Sequence, residues 1–185
     1  MRILIAAVLG AIVLFGWGFV SHMLLPIGEM GIQQPQNEDV VLEGVRSGLP
    51  APGIYMLPSI DKNGWNDEPT MKAWAEKAKA NPFAYVVVAP SPTDPAGMGP
   101  QLAKQFGSDF LASALVAWLL AATTWGFGMR VLGAAGIGVF GWLACIVPMW
   151  NWYRFPTDYM VGGFIEQGAG WLLGGVAIAW WLGRK

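Results

Sequence analysis

The chain has 185 residues, of which 55% are hydrophobic and 12% charged, and its 11 basic and 12 acidic side chains give a formal net charge of −1. A soluble domain usually carries about 25% charged residues, so the shortfall points to lipid, and the absence of a basic run excludes a nucleic-acid partner on electrostatic grounds. Cys145 is the one cysteine, which excludes an intramolecular disulfide and any metal site built on cysteine pairs.

Charge is concentrated in one part of the chain. Residues 3–25 contain a single ionisable side chain, His22, and residues 110–183 contain only Arg130, Arg154, Asp158 and Glu166. The first apolar run predicts a transmembrane helix over residues 1–26, ending at Pro26. It resembles a signal peptide, but it is longer than the usual apolar core of about 7–15 residues and lacks an A-x-A-type cleavage site, so it is expected to stay as an anchor.

Residues 27–107 predict a small α+β segment outside the membrane. Asn37, Glu38 and Asp39 start a helix reaching Arg46, with Val41, Leu42, Val45 and Leu49 on one face and Gly48 as its stop. Residues 53–57 form a strand closed by Pro58. Residues 66–79 form a second helix, acidic at its start, rich in lysine at its end, and terminated by Asn81-Pro82. Residues 83–89, with Tyr85-Val86-Val87-Val88, carry a strong strand signal. A segment of this size without a disulfide is marginal alone and is expected to lean on the membrane or a partner. The proline-rich stretch 89–100 reads as a stiff linker.

Three more apolar segments follow, over residues 108–127, 131–150 and 159–183, with Ser108 or Asp109 as the cap of the first. Each is near the roughly 20 residues that span the hydrocarbon core. The fold class expected is therefore an all-α membrane bundle of four transmembrane helices with a small α+β extracytoplasmic insertion. With the N-terminus inside, Arg2, Arg130, Arg184 and Lys185 are cytoplasmic and Arg154 alone is outside, as the positive-inside bias requires. The expectation is thus the cytoplasmic (inner) membrane of a bacterium, both termini cytoplasmic and residues 27–107 extracytoplasmic. Trp150, Trp152, Tyr153 and Tyr159 gather at the outer interface, where amphipathic rings are favoured, and Trp125, Trp180 and Trp181 near the inner one.

Glu166 is the most informative single residue. It lies about 10 Å below the outer interface at a rise of about 1.5 Å per residue, and its helical neighbours Gly162, Gly163, Ala169 and Gly170 are small. Such a face packs against another helix, so the carboxyl is expected to face protein and to need a partner. Arg154, on the preceding turn, and His22, at the end of the first helix, are the candidates; Asp109, Asn151 and Gln167 are further ones. Glu29 follows the first helix and lies near His22 in sequence. The candidate polar site is therefore Glu166, His22, Arg154, Asp109 and Glu29. One histidine among scattered carboxylates lacks metal-ligand spacing, and no phosphate loop, nucleophile elbow or haem motif occurs, so neither metal nor cofactor is expected.

Two phrases, Trp17-x-x-x-Ser21-His22-Met23-x-Leu25-Pro26-x-Gly28-Glu29 and Trp150-Asn151-Trp152-Tyr153-x-Phe155-Pro156, resemble motifs of bacterial multi-pass membrane proteins of unassigned function. The resemblance covers short parts of both ends and implies no activity. Function is then read from what the chain offers. First comes a non-catalytic accessory, assembly or scaffold subunit, associating with a protein partner or with itself through small-residue faces (Ala6-x-x-x-Gly10, Ala117-x-x-x-Ala121, Gly170-x-x-x-Gly174). The alternative is a membrane enzyme or ligand-binding protein with an outer-leaflet polar site. A transporter ranks third, because the inner half of the bundle offers no ionisable residue.

Overall fold

The apolar run at the N-terminus folds as helix α1 (Arg2–Phe19), which widens into a π-helical turn over Val20–Leu24 and ends at Leu25 in extended backbone. Pro26 enforces that ending, because a proline pushes the residue before it out of helical conformation. The computed structural model describes residues 1–90, 94 and 97–184; part of the expected proline-rich linker, and Lys185, lie outside the described residues. The chain divides into a helical unit, Met1–Gln33 with Pro95–Lys185, and a smaller unit, Gln34–Asp94.

The helical unit continues with α4 (Gly99–Ala121), α5 (Phe127–Gly141), a second π-helical turn (Trp142–Ile146), α6 (Val147–Tyr153) and α7 (Thr157–Gly183). From α5 to α6 the helix is unbroken. Pro148 has no N–H to donate and its ring crowds the carbonyl four residues earlier, and the helix opens just ahead of it. Arg154, in left-handed conformation at φ 57, then turns the chain into α7.

Helix α7 runs antiparallel to α1. Arg2 donates to the carbonyls of Leu182 and Arg184 at one end, and Trp17 Nε1 donates to the Glu166 carbonyl, 3.0 Å away, at the other. It is antiparallel to α5 as well: Gly175 lies on Ala134, Gly138 on Trp171, and Gly163 on Ile146. On the opposite flank of α1, α4 runs back with Gly10 against Ser113 and the rings of Phe15 and Phe106 edge to face at 5.7 Å. The buried centre is made of Ala6, Val116, Ala117, Leu120, Ala134, Ile178 and Leu182. Both ends of the chain therefore meet at one end of this unit.

The expected bundle of four transmembrane helices is corrected here. Among the described residues, two helices are long and apolar enough to cross a membrane, Arg2–Leu24 and Phe127–Tyr153, of 23 and 27 residues. Helix α4 begins nine residues earlier than residue 108, so its first half carries Gln101, Lys104, Gln105 and Asp109; Asp109 lies inside the helix and is not its cap. Helix α7 is long enough but diluted by Asp158, Glu166, Gln167 and repeated glycine. The two apolar helices bury only 22% and 11% of their most apolar stretches. A core helix of a soluble protein would be mostly buried, so these two present most of their apolar side chains outward.

The smaller unit contains α2 (Glu38–Gly48), β1 (Gly53–Leu57), a 3₁₀ turn (Lys62–Asn66), α3 (Glu68–Ala80) and β2 (Ala84–Val88). The two strands pair antiparallel, with Gly53 opposite Val88 and Leu57 opposite Ala84. Trp74 on α3 donates to the Pro58 carbonyl at 3.0 Å and packs against Trp65. Asp67 caps α3 by accepting from the backbone and hydroxyl of Thr70, which holds its carboxyl below the ordinary aspartate pKa. That cap is complete above the unfolded pKa and is lost as pH falls through the lower, folded one.

The close α5–α7 contact supplies a test. A Cβ on Gly138 would lie 2.6 Å from the Gln167 carbonyl and 2.8 Å from the Trp171 Cβ, whereas one on Gly136 meets nothing within 4 Å. Gly138→Ala is expected to lower stability by about 1–3 kcal/mol through overpacking. Gly136→Ala should be neutral or stabilising by up to roughly 1 kcal/mol from helix propensity. Unfolding of the two purified variants in one detergent checks the difference.

Candidate functional site

The site is built where α1 widens. Consecutive residues of an α-helix project about 100° apart, yet Ser21 Oγ and His22 Nε2 reach the same atom, Glu166 Oε1, at 2.9 and 3.0 Å. Wide π turns of this kind recur at functional sites. Ser21 is fully buried; the side chains of His22 and Glu166 are 49% and 27% exposed. The Ser21 hydroxyl also lies 3.1 Å from the Gly18 carbonyl, and its single proton favours the carboxylate as the stronger acceptor. Both partners sit on Oε1, so Oε2 is left unengaged among the described residues.

The loop after the turn fixes the imidazole. Gly28 N–H donates to the Ser21 carbonyl at 3.1 Å, and the ring of His22 lies so close that a Cβ on Gly28 would come within 2.1 Å of Nδ1. The same loop lies on the start of α7. Gly31, at φ +82, faces the Tyr159 backbone, and Gly162 leaves room for the Ile27 carbonyl. Gly28 and Gly31 are thus close-approach positions, and Leu25-Pro26-x-Gly28 is a turn that docks on α7.

An open groove of about 740 Å³ runs beside this cluster between α1, α4 and α7. Its walls are mostly apolar, including Leu14, Phe15, Phe19 and Trp171, and its polar groups are His22, Gln105, Asp109, Glu166 and Gln167. Asp109 accepts from Gln105 at 2.9 Å through Oδ1. Of the residues singled out in the sequence, Glu166, His22 and Asp109 border this one groove. Glu29 is exposed on the docking loop and Arg154 is exposed on the turn between α6 and α7; neither lines it. Among the interfacial aromatics, Trp150 donates to Thr157 Oγ1 at 3.3 Å, Tyr159 packs on Phe155, and Trp152 is 76% exposed.

Sequence reasoning did not single out Ser21 or Gly28, although both stand in the phrase around His22. Small side chains carry little signal until their neighbours in space are known. The arrangement can hold and orient a group. Ser21 and His22 share the carboxylate and do not bond to one another, so it is not the serine–histidine pair of a catalytic triad. Among the described residues no three histidine, cysteine, aspartate or glutamate side chains converge as a metal ion would need. Compared with known protein families, curated proteins and solved structures, the chain matches none.

Because His22 is the only histidine, its imidazole gives one unambiguous NMR signal. Glu166→Gln and Gly28→Ala are both expected to shift that signal, the first by removing the anionic acceptor and the second by evicting the ring. Ser21→Ala should lower stability by about 1 kcal/mol while moving the imidazole signal least. An imidazole signal unchanged in Glu166→Gln would show that the pair does not form.

Proposed function

We propose that the chain is a membrane-anchored, non-catalytic accessory or assembly subunit that presents its smaller unit to a protein partner outside the cytoplasmic membrane of a bacterium. One observation carries this reading. Among the described residues, no hydrophobic side chain of the smaller unit is buried, while Val40, Ile54 and Val87 are 64–65% exposed. Ile54 and Val87 are cross-strand partners, so they form one apolar patch on the sheet. Contiguous exposed apolar surface of this kind marks association sites, and helix α2, which buries no residue, adds Val40, Val41 and Leu42 to the exposed apolar set.

Support for anchoring comes from the outward apolar faces of Arg2–Leu24 and Phe127–Tyr153. Support for both termini lying on one side comes from Arg2 meeting the Leu182 and Arg184 carbonyls, and the positive-inside bias makes that side cytoplasmic. The small-residue faces contribute less than their sequence suggests. Ala6, Gly10, Ala117, Gly170 and Gly174 are buried within the chain itself, so association falls to the smaller unit.

Two measurements test the proposal. Cys145 is exposed, so topology is read in a Cys145→Ala background. A cysteine at Ser59 should react with an impermeant reagent in intact cells and one at Lys185 should not; the reverse pattern would overturn the orientation. For the partner, gentle purification should yield a stoichiometric companion that is lost in Ile54→Lys with Val87→Lys. A wild-type chain that purifies alone, with the sheet fully protected from hydrogen exchange, would sink the reading. A second reading, a ligand-binding protein with a polar site near the outer membrane surface, is favoured by the convergence of Ser21 and His22 on Glu166.

A further inference from the structure

We propose that the groove between α1, α4 and α7 binds an aminolipid of the surrounding bilayer, its primary ammonium held by Asp109 and Glu166 and one acyl chain lying along Leu14, Phe15 and Phe19. The inference does not depend on whether the smaller unit has a partner.

Shape comes first. A volume of about 740 Å³ lies within the roughly 300–1,000 Å³ of small-molecule sites, and apolar walls with a few placed polar groups are their usual character. The polar groups are unbalanced. Among the described residues, two carboxylates border the groove and neither lysine nor arginine does; His22 is the only one of them there able to carry positive charge. Each carboxylate uses a single oxygen within the chain: Glu166 Oε1 takes Ser21 and His22, and Asp109 Oδ1 takes Gln105. Glu166 Oε2 and Asp109 Oδ2 are unengaged among the described residues. Partly sheltered acceptors of this kind are best satisfied by a cationic donor.

The chemistry selects among headgroups. A primary ammonium offers three N–H donors and can reach more than one carboxylate oxygen. A quaternary ammonium offers none and would have only the aromatic faces. An anionic headgroup without an amine would meet two carboxylates unaided. The carboxamide of Gln167 remains to donate to the lipid phosphate. Phosphatidylethanolamine therefore fits better than phosphatidylcholine or phosphatidylglycerol. The tail position is open too: Gly18 lines the groove and a Cβ there meets nothing within 4 Å.

The test reconstitutes the full chain in vesicles of equal parts phosphatidylethanolamine, phosphatidylcholine and phosphatidylglycerol, releases it into detergent, and reads co-purified lipid by native mass spectrometry. Phosphatidylethanolamine should be retained about tenfold over either of the other two lipids, the worth of one charge-assisted hydrogen bond. Asp109→Asn, which leaves the Ser21–His22–Glu166 cluster intact, should remove most of that preference, as should Glu166→Gln. Gly18→Leu should displace lipid of every class. Gly16→Leu, at an equally open position that does not line the groove, should not. Retention in proportion to vesicle composition would overturn the proposal. So would a preference for phosphatidylethanolamine that survives Asp109→Asn in a folded protein, or lipid loss equal in the Gly16 and Gly18 variants.

Discussion

Helix α7 comes within van der Waals range of two other helices at once, and the helical unit depends on that approach. Gly170 and Gly174 let Trp17 and Leu14 of α1 lie directly on its backbone, while Gly175 does the same for Ala134 of α5. Contact area and backbone proximity supply the attraction between these helices. Glycine costs helix propensity of roughly 1 kcal/mol per residue, and close packing on both flanks offsets it here. The same glycines lower the mean hydropathy of α7, so the helix that organises the unit is not one of the two that are apolar enough to span.

The polar cluster follows from this packing. Once α1 and α7 lie backbone to backbone, the Glu166 side chain is left 27% exposed beside the groove, and a carboxylate so sheltered needs donors. The π-helical turn provides two from adjacent residues, and the docking loop, through Gly28, keeps one of them in place. Electrostatics and backbone geometry are coupled: a regular α-helix through residue 24 would separate Ser21 from His22. At the other end, Arg2 on the carbonyls of Leu182 and Arg184, and Arg184 stacked 3.7 Å over Trp180, close the unit with cationic contacts.

The smaller unit obeys a different economy. Its elements are set by local signals, with Asn37 and Asp67 as helix caps and a two-stranded ladder, yet among the described residues it buries no hydrophobic side chain. Two strands and two short helices are too few to enclose an apolar core. Apolar side chains, Ile54 opposite Val87 above all, are left on its surface. Stability of the helical unit comes from internal contacts, whereas the smaller unit leaves Ile54 and Val87 exposed.

The amino-acid sequence by itself determined the local elements and the needs of single residues. Short runs of aliphatic and aromatic residues mark β1 and β2, acidic starts and lysine-rich ends mark α3, and a carboxyl on a glycine face at residue 166 demands a partner from a neighbouring helix. Only the tertiary structure decided which partner. Arg154 is nearer in sequence, but the turn at φ 57 leaves it exposed, whereas Ser21, silent in any pattern, is brought to the carboxylate by the antiparallel packing of α1 and α7. The number of helices apolar enough to span, two and not four, departs from the sequence expectation for a related reason. Composition windows centred on residues 108–127 and 159–183 ignore how far helix α4 extends toward the N-terminus and how much glycine α7 spends on contact. Periodicity and capping act over a few residues and can be read directly, while pairings across 145 positions depend on which helix faces meet, and that is settled only when all the faces are packed together.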